Sequence, residues 1–123
     1  MVAITCRRLV DGLSAQVTGD GGQTRDFVYV GDVARAILLA ATSSSRGSVN
    51  IGTGTPSSIN QVAEILGQVS GSPTPPVHIE GRPGEVRSNY LDQGRAKQLL
   101  SWTAQVSLPE GLDLAWRSFK AEA

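Results

Sequence analysis

Ser58 stands three residues ahead of Gln61, and the run behind it sets Ile59, Val62, Ala63, Ile65, Leu66 and Val69 at helical spacing. A serine and a glutamine so placed satisfy two of the amides that a helix leaves open at its start. The apolar stripe obliges that helix to dock on a core. Gly71 ends it, and the proline-rich stretch 72–76 leads away. Ser107 and Glu110 repeat the signal near the C-terminus, with Pro109 in the first turn and Leu112, Ala115, Trp116 and Phe119 on one face.

Around these two helices the chain alternates. Residues 2–11 read as a helix ended near Gly12, with Arg7 and Arg8 on its exposed side. Residues 15–18 read as a short strand closed by the glycine-rich turn 19–22. Phe27, Val28, Tyr29 and Val30 have strand character. A helix is expected from Gly31 to about Ala41, with Asp32 as its N-cap and Val33, Ile37 and Leu38 on its apolar face. Val49–Ile51 is a further expected strand, Val77 and Ile79 flank His78 in another, and residues 93–100 form a helix capped by Asp92. The expected fold class is α/β: a partial, helix-rich lobe with a few short strands, residues 1–123 forming one unit.

Composition removes several function classes. Lys plus Arg (11) equals Asp plus Glu (11), so no global field favours nucleic acid or an anionic membrane. Any bound anion must be held by a few placed arginines. The lone Cys6 cannot form an internal disulfide or a metal site by itself, and reads as a small buried hydrophobe. No apolar run approaches the roughly 20 residues needed to span a bilayer. The expected location is the cytoplasm.

Gly52-Thr53-Gly54 invites a dinucleotide-binding reading, but Ser57 stands where the third glycine belongs and Pro56 has no amide hydrogen for a pyrophosphate. The turn is read as structural. Arg25 follows the glycine-rich turn, and Arg82 lies in the loop Gly81-Arg82-Pro83-Gly84-Glu85, with Arg87 just beyond. Two arginines on stiff loops can clamp a diphosphate through charge-assisted, bidentate hydrogen bonds. Spacing alone favours ordinary surface pairs instead, Arg25 with Asp26 or Asp32 and Arg82 with Glu85. His78 has no metal-ligating company.

The run from Gly19 to Ala36, with Arg25-Asp26-Phe27-Val28-Tyr29-Val30 at its centre, resembles the segment opening the C-terminal half of extended short-chain dehydrogenases/reductases, the NAD-dependent epimerase/dehydratase family. The resemblance continues through Asn50–Gly54, Arg82–Arg87, Leu91-Asp92, Arg95–Leu100, Trp102 and Ser107–Leu112, from about Val2 to Lys120. It implies that Arg25 and Arg82 contact a nucleotide diphosphate and Glu85 lies near the ribose. It places Val17 on the strand beside the base, and Asn89 and Tyr90 near the sugar. The implied ligand is a nucleotide-diphosphate sugar.

Members of that family bind NAD on a Rossmann domain and use a Tyr-x-x-x-Lys pair. Here Tyr29 is followed four residues on by Val33, and Tyr90 by Gly94. Gly31 and Gly94 are smaller departures. The expectation is a nucleotide-sugar-binding fragment with no catalytic residue and no cofactor site of its own, inactive alone. The alternative is a stand-alone binding or assembly module. The face that would pack on the Rossmann domain should seek a partner, giving a homodimer or a swapped assembly.

Overall fold

The computed structural model describes residues 1–122. In chain order it contains α1 (Val2–Val10), β1 (Gln16–Thr18), β2 (Thr24–Arg25), α2 (Val30–Thr42), β3 (Ser57–Ser58), α3 (Ile59–Ser70), β4 (Val77–Ile79), β5 (Ser88–Asn89), α4 (Gly94–Leu100) and α5 (Leu108–Ala121). The α/β, helix-rich lobe expected from the sequence is what forms. Among the described residues the strands make one parallel pair, β1 with β4, and one three-stranded sheet ordered β3-β2-β5.

The serine half of each capping signal forms as read. Ser58 accepts from the Gln61 amide and Ser107 from the Glu110 amide, and α3 ends on Gly71 at φ 69°, where a left-handed residue is needed. The stripes of α1, α3 and α5 meet in one core built on Cys6, Leu9, Val62, Leu66, Leu112 and Trp116. Burial raises the Cys6 thiol pKa, as befits a packed, inert cysteine. A second cluster joins Val17 and Ala15 to Ile59 and Ala63. A third gathers Ala36, Ala96 and Leu100 around Trp102.

Five local expectations are corrected. Residues 27–30 form no strand: β2 lies upstream at Thr24–Arg25, and Tyr29 is already the N-cap of α2, its carbonyl accepting from the amides of Asp32 and Val33. Val49–Ile51 also forms no strand. Val49 and Ile51 pack against the Trp102 cluster, and no neighbouring strand among the described residues offers a ladder. Asp32 is not a cap but a buried staple in the first turn of α2. Its Oδ2 accepts from the amides of Gln105 and Val106, each at 2.9 Å, and Oδ1 from Arg35 at 2.7 Å. Burial alone would raise its pKa; those hydrogen bonds outweigh it and hold the carboxyl below its ordinary range. Ile37 and Leu38 are exposed rather than packed, and α2 buries Ala36 and Asp32 instead. Asp92 contributes at α4 from one position further back than expected, accepting from the Gly94 amide at 2.7 Å beside the N-cap Gln93.

The helical layer also sets the loop edge. The first amides of α3 do not face solvent: Ile59 donates to the Gln23 carbonyl (3.1 Å) and Asn60 to that of Gly21 (3.0 Å), while Asn60 Nδ2 donates to the Asp20 carbonyl (2.8 Å). Gly21 has φ 68°, and a Cβ there would collide with the Asn60 side chain. The capped helix therefore fixes the glycine-rich turn, and the turn delivers β2.

Candidate functional site

β2 is two residues long, yet it organises the exposed edge. It pairs antiparallel with β3 and parallel with β5, so Arg25 lies opposite Ser57 on one side and Asn89 on the other. Arg25 Nη1 donates to its neighbour's carbonyl, Thr24 O, at 2.7 Å. Its Nη2 lies 3.5 Å from Glu85 Oε1, with each side chain about a third exposed. The surface pairing that the sequence allowed for Arg25 thus exists, but with Glu85 and not with Asp26 or Asp32. Such an exposed pair is worth only ~0–1 kcal/mol. Arg82 caps the same loop from the other end, its carbonyl accepting from the Glu85 amide at 3.3 Å. Its side chain is exposed and joins no ion pair among the described residues.

The loop carrying these groups is pinned to the glycine-rich turn. Arg87 donates from Nη1 and Nη2 to the two oxygens of Asp20, at 2.8 and 3.0 Å. Hydrogen bonds from Arg87, with one from the Gly22 amide, hold the Asp20 carboxyl down to about 2. Arg87 is thus a strut between two loops. His78 Nδ1 lies 2.7 Å from the Gly19 carbonyl, and the Gly19 amide donates to Ile79 O at 2.9 Å. His78 thus helps brace the glycine-rich turn against β4. Buried Gln23 completes the bracing, donating from Nε2 to Thr18 O (2.9 Å) and to Glu85 Oε2 (3.4 Å).

The remaining candidates separate into two groups. Asn89 and Tyr90 are exposed beside Arg25, on β5 and just after it. Val17 is fully buried against Ala15, Ile59 and Ala63, so it builds the core beneath β1. Sequence reasoning missed Asp26, Gln23 and the Asp20–Arg87 pair. No local signal marks them, because their partners lie 27 to 67 positions away.

The Gly52-Thr53-Gly54 turn does not fit a dinucleotide. The Thr53 and Gly54 amides, which would have to face a pyrophosphate, both donate to the Asp26 carboxylate. The first amides of the helix that follows are also taken, by Gln23, Gly21 and Ser58. Among the described residues no group of three His, Cys, Asp or Glu could hold a metal.

The model of the NAD-dependent epimerase/dehydratase family matches residues 1–52. UDP-glucose 4-epimerase of Mycolicibacterium smegmatis is 35% identical over 113 residues, covering 91% of this chain and 36% of that protein. The solved UDP-glucose 4-epimerase of Thermotoga maritima with UDP-glucose is 40% identical and superposes with a TM-score of 0.93, over 98% of this chain and 39% of that one. The chain belongs to the NAD-dependent epimerase/dehydratase family. GDP-mannose 3,5-epimerase of Arabidopsis thaliana is 33% identical over 101 residues, 82% of this chain and 26% of that protein. The family likeness thus extends across more than one nucleotide class. The chain spans little more than a third of the length of the first curated relatives it matches.

Proposed function

We propose that this chain is the nucleotide-sugar-binding, C-terminal lobe of an NAD-dependent sugar epimerase or dehydratase. The observation that carries the reading is the approach of Arg25 and Glu85 across the β2–β5 edge, with Arg82 at the other end of the same tight loop. Arg25 and Arg82 take the diphosphate. Glu85 leaves Arg25 when the ligand arrives and accepts from the ribose hydroxyls. An exposed pair worth ~0–1 kcal/mol is cheap to exchange for a doubly charged ligand. Backbone near Val17 lies by the base, and Asn89 and Tyr90 select the sugar. The chain does not run the redox cycle on its own residues, since neither tyrosine is followed four residues on by a lysine. NAD and the catalytic base belong to a part of the enzyme outside these 123 residues, in the same chain or another, and the protein works in the cytoplasm.

Titration of the purified chain with UDP-glucose, dTDP-glucose and GDP-mannose tests this. Binding of one of them that both Arg25→Ala and Arg82→Ala remove is the expected result. Binding of none, or binding indifferent to both substitutions, contradicts it.

A second reading is an assembly module that keeps the fold without the ligand. It is favoured by α2, whose Val30, Ile37 and Leu38 are 72%, 64% and 69% exposed, and by the adjoining apolar cleft of 360 Å³ lined by Phe27, Tyr29, Leu108, Leu114 and Phe119. Left uncovered, these surfaces drive a homodimer or a swapped assembly. Light scattering across micromolar concentrations should show a dimer that Leu38→Glu dissociates; a monodisperse monomer rules out that association.

A further inference from the structure

Asp26 follows Arg25 directly, and its carboxylate is the most heavily used acceptor on the edge. Oδ1 accepts from the Thr53 amide at 2.9 Å and from the Thr53 hydroxyl at 2.5 Å. Oδ2 accepts from the amides of Thr53 (3.1 Å), Gly54 (3.1 Å) and Leu91 (3.2 Å). These donors come from both sides of β2: the turn that leads to β3, and the residue two places beyond Asn89 on β5. Gly52 permits the arrangement, since a Cβ there would lie 2.6 Å from Asp26 Oδ2 and 2.8 Å from Leu91 Cβ. Asp26 thus fills with its own carboxylate a cradle of amides that would otherwise attract an anion. Burial would raise its pKa, but the Thr53, Leu91 and Gly54 hydrogen bonds lower it further, so the group is an anion at neutral pH.

We propose that Asp26 is the positioning residue for the sugar end of the site, tying Leu91 to the Gly-Thr-Gly turn so that Asn89 and Tyr90 are held in register beside Arg25. The inference rests on the nucleotide-sugar reading above. The backbone ladder between β2 and β5 ends at Arg25 and Asn89. Beyond that point the Asp26 side chain continues it at Leu91, and Gln93 Nε2 donates to Thr53 O at 2.7 Å further along. Removing the Asp26 link frees Tyr90 while leaving Arg25 and the diphosphate clamp in place.

The test compares wild type with Asp26→Asn, which loses acceptor capacity and turns a donor toward the amides. UDP should bind the variant within about threefold of wild type, while the Kd ratio of UDP-glucose to UDP rises about tenfold, as expected for losing hydrogen bonds to a charged group. In ligand-free protein the amide resonances of Asn89 and Tyr90 should shift along with those of Thr53, Gly54 and Leu91. With Asp26→Gly, millimolar formate should enter the vacated cradle and return those resonances toward their wild-type positions. An unchanged ratio, or equal loss of both ligands with a lowered melting temperature, overturns the positioning role. So do unmoved Asn89 and Tyr90 resonances, even where wild type binds UDP-glucose. A wild-type chain that binds neither ligand overturns the nucleotide-sugar reading itself.

Discussion

The helical layer and the loop edge of this lobe are held together by different physics. In the α1–α3–α5 core, non-directional burial does the work, and Leu66, Val62 and Cys6 are wholly out of water. Along residues 81–91 every residue is exposed, and position is set by directed contacts: Asp20 with Arg87, Gln23 with Glu85, Asp26 with Leu91. Burial supplies stability but tolerates small displacements; an exposed carboxylate pair supplies little net stability, yet its directed hydrogen bonds fix a loop in register. Clamping a diphosphate needs the second kind of order resting on the first.

That contrast can be broken by substitution. Leu66→Ala removes fully buried volume from the core and should cost about 3 kcal/mol in chemical denaturation while leaving the loop-edge amide resonances unmoved. Were those resonances to scatter, core and edge would be one cooperative unit. Asp32→Asn sits between the regimes, a buried carboxylate fastening residues 105–106 to α2. It should cost about 2 kcal/mol, and retention of full stability would deny the staple. Ser58→Ala removes the α3 cap and should cost about 1 kcal/mol, with added disorder in the glycine-rich turn that α3 supports.

The smallest effect belongs to the exposed Asp20–Arg87 strut. Its carboxyl pKa is depressed in the folded state, so its contribution is present above the ordinary value of 3.8 and is lost as pH falls from there to about 2. Arg87→Ala should flatten stability against pH in that window and leave neutral stability nearly unchanged. A large loss at pH 7 would show that the strut bears more than register.

The two regions also differ in how far the sequence reveals them. Ser58–Gln61 and Ser107–Glu110 announce their helices because a cap and a stripe are local, and α3 and α5 start where they say. Strands are legible only through partners. Phe27–Val30 and Val49–Ile51 have β-type side chains but no ladder, whereas polar Thr24–Arg25 has neighbours on both sides and is a strand. Asp26 explains the first case: it takes the amides of Thr53, Gly54 and Leu91 with its side chain, and the backbone ladder stops. The α2 stripe misled because Ile37 and Leu38 face outward, a surface that only a second body could bury. Arg25 and Arg82 stand out by their loops as a candidate clamp, and Glu85 as a candidate through family resemblance. Their mutual arrangement does not, because Glu85 is 60 residues from Arg25 in sequence.

The most direct test of the central claim is to map amide chemical shifts while UDP-glucose is added to the isotope-labelled chain. The account predicts changes centred on Arg25, Arg82, Glu85, Asn89 and Tyr90, with the α1–α3–α5 core silent. Changes confined to α2 and the apolar cleft beside α5, or none at saturating ligand, would contradict it.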